Sequence, residues 1–441
     1  MKNYIYIETY GCAANQNNSE ILAGILRSKG LQITNNEQIA DIIIINSCIV
    51  KGKTENKIKR RIQDLKNSKK LLIITGCMPE TDAEQLKKLN QDIILLGTHH
   101  FKEINNLILD YENKKLTDKK QKQYLENKNE EKINLPKIPK NKLISIIQIS
   151  EGCLGKCTYC KTRLAKGNLF SYPEQEIMKS IKSDLEQGAK EIWITSQDCA
   201  SYGLDNGKNK SKLPELLKKI ISLDNRFKLR LGMMNPNNVS PILKELIEIY
   251  HSPKVYKFLH IPIQSASNNV LKHMKRFYTI EQAKEIIMRF RKEFPDITIA
   301  TDIIIGYPTE TREDFQKSLD FIEEYKPDVF NLSKMSIHKG TEIYNQIKKG
   351  KFKPRKINTI NKRTTEIMKA HQKTALENKQ KFLNKNTKVF VNQKISGNLW
   401  EARDDYYNII LLTNTNQNIL GKNLVVKINQ AGVHHLIGEI I

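Results

Sequence analysis

Short apolar runs alternate with amphipathic stretches through the first 112 residues. The apolar runs, which have the length of strands, lie at 4–9, 41–46, 71–75 and 92–96. Between and after them, apolar residues recur at helical spacing at 19–28, 54–66, 81–89 and 102–111. Apolar strands that alternate with helices are typical of a parallel sheet covered by helices on both faces. We therefore predict a doubly wound α/β domain over residues 1–112.

The same alternation returns after a break. Residues 113–142 are rich in lysine and poor in apolar residues, which predicts a linker. Beyond it, apolar runs separated by long helical patterns lie at 143–149, 191–195, 228–232, 258–263, 298–305 and 329–335. Six consecutive strand–helix units predict an incomplete (β/α)6 barrel over residues 143–375, two units short of a complete barrel.

The pattern changes again near the end of the chain. A basic stretch with helical spacing at 356–385 leads into short strand-like runs at 387–392, 400–403, 408–412, 423–428 and 434–440. Closely spaced short strands favour a small β-barrel over residues 376–441, an architecture that often binds nucleic acids. Trp400 could offer a stacking face for a base, although a place in the barrel core suits it better.

Charge is the compositional feature that changes this picture most. The 441 residues carry a formal net charge of +25, and such an excess of lysine and arginine favours a polyanionic partner, most often nucleic acid. The alternative is a lysine-rich composition spread over the whole surface. Clustering argues against it, because residues 347–375 contain ten Lys or Arg and a single acidic residue, Glu366.

The rest of the composition indicates in which cellular compartment the protein works. The apolar runs fall well short of the ~20 residues that a membrane-spanning helix needs, and the N-terminus lacks the layout of a signal peptide. We expect a cytoplasmic protein with no membrane partner. The seven cysteines, an odd number, argue against a disulfide framework in a reducing compartment.

Three cysteines lie close together as C-x3-C-x2-C, directly after the first predicted barrel strand, where barrel enzymes carry their chemistry. We call Cys153, Cys157 and Cys160 the loop triplet. A structural zinc site takes four ligands, and no fourth Cys or His lies nearby in the sequence. The histidines that could be considered are remote: His99, His100, His260 and His338. An iron–sulfur cluster that keeps one iron open for a substrate or cofactor fits better.

Three further cysteines occupy equivalent places in three successive strand–helix units. Cys12, Cys48 and Cys77, the sheet-edge triplet, each follow a predicted strand. The carboxyl ends of parallel strands meet at one edge of an open sheet, so these thiols can form a second metal or cluster site. The alternative is three small buried residues, the usual fate of a free cysteine. The seventh cysteine, Cys199, is not assigned as a ligand.

The C-x3-C-x2-C motif, with Tyr159 before its last cysteine, resembles that of the radical S-adenosylmethionine (SAM) enzymes. Five segments resemble signatures of the methylthiotransferases within that superfamily: TYGCAANQNNSE, NSCIV, GCMPE, HIPIQSASNNVLKHMKRFY and TDIIIGYPTETREDF. The resemblance spans nearly the whole chain, including a C-terminal β-barrel of the TRAM type. TSQDCASYG and RLGMMNPNN are most similar to the MtaB-like archaeal and eukaryotic branch. The chain departs from that branch at Cys199, where a threonine is expected.

The resemblance implies two [4Fe-4S] clusters and SAM, which is both radical source and methyl donor. The loop triplet would bind the cluster that cleaves SAM to a 5′-deoxyadenosyl radical. The sheet-edge triplet would bind an auxiliary cluster whose open iron carries the sulfur. By the same resemblance, the residues around SAM would be Tyr159, Ser196, Gln197, Asp198, Gln264, Asp302, Gly306 and Pro308.

The implied reaction adds a methylthio group to C2 of N6-threonylcarbamoyladenosine, just 3′ of the anticodon in tRNA, giving ms2t6A. The C2–H bond is unactivated, so a cofactor-borne radical is needed to replace the hydrogen with sulfur. Partners would be the tRNA anticodon stem-loop, whose phosphates the basic stretch and the β-barrel would hold, an electron donor and a sulfur source. Isopentenyladenosine and a ribosomal-protein aspartate remain alternative substrates, and a non-catalytic iron–sulfur RNA-binding protein is a distant alternative.

Overall fold

The computed structural model describes residues 4–50, 52–113, 123–126, 128–207, 209–413 and 417–441. Its N-terminal part is a six-stranded parallel sheet of order β2-β1-β3-β4-β5-β6. The strands are β1 (Tyr4–Thr9), β2 (Gln32–Thr34), β3 (Ile42–Ser47), β4 (Leu71–Gly76), β5 (Ile94–Leu96) and β6 (Gln123–Tyr124). The helices are α1 (Ala13–Ser28), α2 (Gly52–Asp64), α3 (Cys77–Leu89) and α4 (Ile104–Glu112).

Helices cover both faces of this sheet. Ile44 of β3 packs with Leu22 of α1 in one apolar cluster, whereas its neighbour Ile45 packs with Ile58 of α2 in another. Successive side chains of a strand point to opposite faces, so a strand buried on both sides is apolar along its whole length. The predicted doubly wound α/β domain is confirmed.

The segment predicted as a linker contributes structure to this domain. Residues 114–122 and 127, which belong to the predicted linker, lie outside the described residues. Strand β6 extends the sheet, with the backbone N–H of Gly97 donating to the carbonyl of Tyr124 at 2.7 Å. Further on, Lys132 is only 2% exposed, and the N–H of Lys140 donates to Oε1 of Glu20 at 3.0 Å. The segment after residue 127 is thus packed against the domain.

The central part contains the six predicted barrel strands in two parallel sheets. The strands are β7 (Ile144–Gln148), β10 (Glu191–Thr195), β11 (Lys228–Leu231), β12 (Phe258–His260), β13 (Thr298–Ile305) and β14 (Val329–Lys334). One sheet has the order β7-β10-β11 and the other β12-β13-β14. The N–H of Tyr256 donates to the carbonyl of Leu229 at 2.9 Å, which joins the two sheets into one open barrel.

Ten helices and a small antiparallel ribbon complete this core among the described residues. The ribbon is β8 (Ser150–Glu151) with β9 (Phe170–Ser171). The helices are α5 (Lys161–Lys166), α6 (Glu174–Glu186), α7 (Leu213–Ile221), α8 (Pro236–Val239), α9 (Leu243–Tyr250), α10 (Asn268–His273), α11 (Ile280–Glu293), α12 (Arg312–Tyr325), α13 (Glu342–Lys348) and α14 (Ile357–Gln380). Capping boxes at Thr279 and Thr311 start α11 and α12, because each threonine accepts from the backbone three residues on.

The C-terminal part is a closed five-stranded barrel of order β15-β16-β17-β19-β18. Its strands are β15 (Asn386–Ser396), β16 (Leu399–Arg403), β17 (Ile409–Leu412), β18 (Asn423–Ala431) and β19 (Leu436–Ile440). Trp400 is 3% exposed and packs with Val391 and Ile410, so it belongs to the barrel core. The predicted small β-barrel is confirmed.

This barrel docks on the end of the core opposite the cysteines. Tyr407 packs its ring against Trp193, at 6.1 Å between centroids, and against Phe258, at 5.1 Å. Lys257, just before β12, donates its N–H to the carbonyl of Asp405 at 2.8 Å. These contacts lie near the amino ends of the core strands. No helix of the described residues combines the length and apolar character needed to cross a membrane.

Candidate active site

The sheet-edge triplet lies at the carboxyl edge of three adjacent strands. Cys12 is the N-cap residue of α1 after β1, Cys48 follows β3, and Cys77 is the first residue of α3 after β4. Because β1, β3 and β4 are neighbours in the sheet, the structure brings these three loops side by side. Cys48 and Cys77 are buried, and Cys12 is exposed.

Polar side chains next to these cysteines hold the three loops together. Nδ2 of Asn46 donates to the carbonyl of Asn15 at 2.8 Å and to Oγ of Ser19 at 2.9 Å. Nδ2 of Asn15 in turn donates to the carbonyl of Ser47 at 3.0 Å, and Oγ of Ser47 accepts from the N–H of Met78 at 3.1 Å. The role of these residues is not visible in the sequence, since it depends on contacts between loops that are distant in the chain.

Two glycines leave the space that the cysteine loops need. Gly11 has a φ of +113°, and a Cβ there would lie 3.0 Å from Sγ of Cys48. Gly76 has a φ of +85°, and a Cβ there would lie 2.5 Å from Oδ1 of Asn46. Both backbone conformations are in the region that favours glycine. Any other residue at these positions would strain the loop and crowd the Cys48 thiol or the asparagine clamp.

The loop triplet lies on the segment between β8 and α5, at the carboxyl end of the core barrel. The N–H of Cys160, the N-cap residue of α5, donates to the carbonyl of Cys157 at 3.1 Å. The N–H of Gly155 donates to Sγ of Cys153 at 3.2 Å, and a Cβ on Gly155 would lie 3.2 Å from that sulfur. The loop is therefore wrapped closely around its own thiols.

The protonation of these thiols fits a metal-cluster site. Burial raises the pKa of Cys77 to about 12, with Cys48 and Cys12 adding to the rise. Burial also raises the pKa of Cys153 to about 12 and raises that of Cys160. Buried neighbouring thiols resist ionisation unless a cation binds them as thiolates, and thiolates are the ligands of iron–sulfur clusters. The donor set of each triplet thus fits a cluster with one open iron.

The two triplets do not resemble single-ion sites. Across the residues that the structure describes, no three Cys, His, Asp or Glu side chains are arranged to hold one metal ion. An iron–sulfur cluster differs from such a site, since each thiolate binds a different iron and the sulfurs stand around the cluster instead of meeting at one atom.

Six of the eight residues expected around SAM lie at the carboxyl ends of β10, β12 and β13, on the same face as the loop triplet, whereas Asp302 lies within β13 and Tyr159 in the cysteine loop. Asp198 is buried and accepts from the N–H of Ala200, at 3.1 Å, and from Nδ2 of Asn238, at 2.7 Å. Burial raises its pKa. Ser196 accepts from the N–H of Asp198 at 3.0 Å, and Oε1 of Gln197 is buried without a hydrogen-bond partner. Of these three residues, Gln197 has a free polar atom to offer.

Of the next three residues expected around SAM, Gln264 and Asp302 are hydrogen-bonded to each other, whereas Gly306 is packed against a helix. Gln264 has a φ of +61° and donates its N–H to the carbonyl of Asp302 at 2.7 Å. Oδ2 of Asp302 bonds to Nε2 of His260 at 2.5 Å, a partner that sequence analysis left unassigned. Gly306 is packed by α14 instead, since a Cβ there would lie 2.6 Å from Ile360.

The last two expected SAM residues are packed into the fold on the same face. Pro308 is buried. Tyr159 is partly buried against the apolar cluster that contains Tyr307.

Helix α5 stands between the two triplets. It begins after Cys160, and at 1.5 Å per residue its six residues span about 9 Å. At its start, Lys161 pairs with Asp82 of α3 and lies 3.8 Å from Glu55 of α2. At its end, Lys166 is bonded to Thr98, beyond β5. The N-terminal sheet is thus docked on the helix that leaves the loop triplet, and the two candidate cluster sites face the same interface.

Comparison with known proteins agrees with this arrangement. Residues 4–97 match the model of the uncharacterized protein family UPF0004, and residues 147–322 match that of the radical SAM superfamily. The fold resembles that of the radical SAM methyltransferase TsrM from Kitasatospora setae, solved with cobalamin and a [4Fe-4S] cluster. The TM-score is 0.56 at 14% identity, over 79% of this chain and 75% of that one.

Three curated relatives cover most of the chain. The probable threonylcarbamoyladenosine tRNA methylthiotransferase of Pyrococcus horikoshii is 36% identical over 99% of both chains. That of Methanothermobacter thermautotrophicus is 42% identical over 75% of this chain and 76% of its own. The Homo sapiens threonylcarbamoyladenosine tRNA methylthiotransferase is 34% identical over 99% of this chain and 73% of its own. On these matches, the chain belongs to the family of threonylcarbamoyladenosine tRNA methylthiotransferases.

Proposed function

We propose that this protein is a radical SAM enzyme that methylthiolates C2 of N6-threonylcarbamoyladenosine beside the anticodon of tRNA, forming ms2t6A. Family membership supports the activity and the substrate. The observation that carries the proposal is the pair of cysteine triplets on either side of α5, each one thiolate short of a full ligand set. A reaction that needs both a radical and a sulfur donor requires two such open positions.

The cofactors of this reaction are two [4Fe-4S] clusters and SAM. The loop triplet would hold the cluster that binds SAM, and the sheet-edge triplet the auxiliary cluster. When bound, these groups supply the one-electron chemistry that breaks an unactivated aromatic C–H bond, together with the sulfur and the methyl group. An electron donor and a sulfur source complete the partners, and the cytoplasm is the location that suits them.

The chain's own residues position these groups. The free Oε1 of Gln197 and the His260–Asp302 pair lie on the face where SAM would bind and offer it hydrogen-bonding groups. Asp198 holds the neighbouring loops in place. It accepts a hydrogen bond from the N–H of Asn235 at 3.0 Å and so fixes the loop after β11 to the end of β10. Its own oxygens are used within the protein, so its contribution is to position the loops around the site.

The RNA-binding face begins beside the loop triplet. Phe352, in the basic segment between α13 and α14, packs 5.9 Å from the ring of His273. The carbonyl of Met274, the next residue, accepts from the N–H of Thr158 within the cysteine loop at 3.1 Å. Exposed lysines surround Phe352: Lys348, Lys349, Lys351, Lys353 and Lys356. These cations would hold phosphates of an anticodon loop whose adenosine enters the site.

Each part of the chain has its own role in this reaction. We propose bounds of 1–112 for the auxiliary-cluster domain, 113–142 for the connecting segment, 143–375 for the radical SAM core and 376–441 for the TRAM-like barrel. Helix α14 links the last two, because Ile360 in its first turn packs against Gly306 after β13 and Lys379 at its other end bonds to Asn408 of the β-barrel.

Mass spectrometry of tRNA nucleosides tests the proposal. The anaerobically reconstituted enzyme is expected to bind about eight irons per chain and to convert N6-threonylcarbamoyladenosine to its 2-methylthio derivative. Modification of isopentenyladenosine, or of a ribosomal-protein aspartate, under the same conditions would overturn the substrate assignment. Fewer than about eight irons with no methylthiolation would favour the non-catalytic RNA-binding alternative.

A further inference from the structure

A buried polar cluster fills the interface between the two triplets. It comprises Lys132 at 2% exposure, Glu151 at 2%, Lys166 at 2% and His99 at 3%. Glu151 precedes the cysteine loop, Lys166 ends α5, and His99 follows β5 at the same sheet edge as the sheet-edge triplet. Buried charges at such depth are costly unless they are paired, so the arrangement needs an explanation.

The charges in this cluster do not cancel. Lys132 and Lys166 both pair with Glu151, Lys166 at 3.2 Å, so two ammonium groups share one carboxylate. The hydroxyl of Tyr172 donates to Glu151 at 2.7 Å and completes its bonding. Burial raises the pKa of Glu151, but the ammonium groups of Lys132 and Lys166 lower it more and hold it well below its usual range. The trio therefore carries one net positive charge.

Two other carboxylates lie nearby, and the charge of Glu130 partly offsets that of Lys132. Glu130 accepts from the backbone N–H groups of Phe101, at 2.8 Å, and Lys102, at 3.0 Å. Glu80 accepts from the N–H of Thr98 at 2.9 Å, and burial raises its pKa to about 7, which favours its neutral form. Neither carboxylate is paired with Lys166.

Lys166 directs its charge toward the sheet-edge triplet. Helices α5 and α3 pack together, and Cys77 is the first residue of α3. Lys166 is bonded to Thr98, which follows β5, and β5 is the sheet neighbour of β4, the strand that ends directly before Cys77. Neither ring nitrogen of His99 has a hydrogen-bond partner. The charges of Glu151, Lys132 and Lys166 act on its ring.

We propose that Lys166 is a positioning residue for the sulfur-donating site: its ammonium stabilises an anionic sulfur ligand, such as methanethiolate, at the open iron held by the sheet-edge triplet. The inference rests on the auxiliary cluster of the proposed function. The unbonded imidazole of His99 lines the same interface as a neutral hydrogen-bonding group. The remaining pair of Lys132 and Glu151 holds Lys166 in place, so the charge stays beside the thiolates.

The test uses the full-length chain with the loop triplet replaced by alanine, so that only the auxiliary cluster is loaded. In this parent we compare Lys166→Met with Lys166→Arg, which keeps the charge, and with Lys161→Met. Lys161 is the matched control because it is a buried lysine on the same helix that docks on the same domain. The measurements are iron content, the reduction potential of the cluster by EPR-monitored titration, and the affinity for added methanethiolate.

Lys166→Met is expected to lower methanethiolate affinity at least about tenfold. It should also disfavour cluster reduction about tenfold, a fall of about 59 mV in potential. Lys166→Arg and Lys161→Met should stay near the parent. Loss of the cluster in Lys166→Met, with retention in the other two, would likewise support the role of the charge.

Three results would overturn the inference, and they are distinguishable. A parent with about four irons whose affinity and potential do not change in Lys166→Met would overturn the role of Lys166 alone. Equal losses in Lys166→Met and Lys161→Met would do the same, since they would assign the effect to domain docking. A parent that binds no iron would contradict the auxiliary cluster itself and therefore the proposed function.

Discussion

A guanidinium nitrogen of Arg276 donates a hydrogen bond to Sγ of Cys157 at 3.4 Å. Its other terminal nitrogen donates to the carbonyl of Pro262 at 3.2 Å and to Oδ1 of Asn235 at 3.3 Å, and the ring of Tyr278 lies 5.1 Å below it. Arg276 thus connects the loop triplet to the loops after β11 and β12. This half-buried cation fixes the cysteine loop and supplies positive charge to its sulfur.

Arg276→Met is expected to impair the cluster at the loop triplet. The variant removes an N–H···S bond and a positive charge, both of which favour the reduced, more negative state of a cluster. Loss of such an outer contact typically costs about 10–100-fold in metal affinity or activity. We expect a loss of that size in the rate of 5′-deoxyadenosine formation, measured by chromatography, and a lower reduction potential.

The control for this prediction is Arg312→Met, which removes a surface guanidinium that pairs with Glu366 at 2.8 Å. It should leave the rate and the potential unchanged. If Arg276→Met retained the wild-type potential, the contact with Cys157 would have a purely structural role.

Alanine at Cys12, Cys48 or Cys77 should separate the two halves of the reaction. Each change removes a thiolate from the sheet-edge triplet and leaves the loop triplet intact, so iron content should fall from about eight to about four per chain. Methylthiolation of tRNA should be lost, while 5′-deoxyadenosine formation continues. Nucleoside mass spectrometry and 5′-deoxyadenosine chromatography on the same samples check this. Loss of both products would show that the triplets do not divide the work in this way.

The repeating parts of the fold could be predicted from the sequence because their periodicity is local. The runs at 42–47 and 71–76 are apolar at every position since both faces of the sheet are buried, and that pattern is visible in single segments. The placement of Cys12, Cys48 and Cys77 follows from the same regularity, as each stands directly after its strand. The segment around Lys132 was assigned to a linker because composition does not show that a lysine is buried against a partner distant in the chain.

The supporting residues of the site could not be predicted, since each depends on contacts between distant segments. Arg276 lies 119 positions from Cys157, and Lys161 lies 79 from Asp82. His260 is remote from the cysteines in the sequence, yet β12 and β13 are neighbours and bring it to Asp302. The packing of Ile360 against Gly306 likewise depends on a distant helix, and the SAM contact of Gly306 stays a prediction. Sequence spacing identifies ligands within one loop better than the residues that hold the loop.

Replacing Lys351 and Lys353 by glutamate should weaken tRNA binding. Both are exposed in the basic segment beside the cysteine loop, where phosphate contacts would release counterions on binding. Each lost contact is expected to reduce the slope of log affinity against log salt by about 0.7–0.9. Fluorescence anisotropy with an anticodon stem-loop, at several salt concentrations, measures both quantities.

The matched control for the basic segment is Lys179→Glu with Lys182→Glu, two exposed lysines on α6. This pair changes the net charge equally but lies away from the segment. If both double variants weakened binding to the same extent, the total charge of the protein, and not this surface, would govern tRNA affinity.

The stability of the protein should fall on acidification because of His371, a residue of α14 that is 1% exposed and packs 5.1 Å from Phe330. Burial lowers its pKa from 6.5 to about 4, so the folded state binds a proton less readily than the unfolded state. The resulting stability is fully present above pH 6.5 and is lost as the pH falls toward 4, by at most about 3 kcal/mol. His371→Leu should remove this part of the pH dependence. Urea unfolding at pH 7.5, 5.5 and 4.5 compares the two proteins, and equal slopes against pH would contradict the prediction.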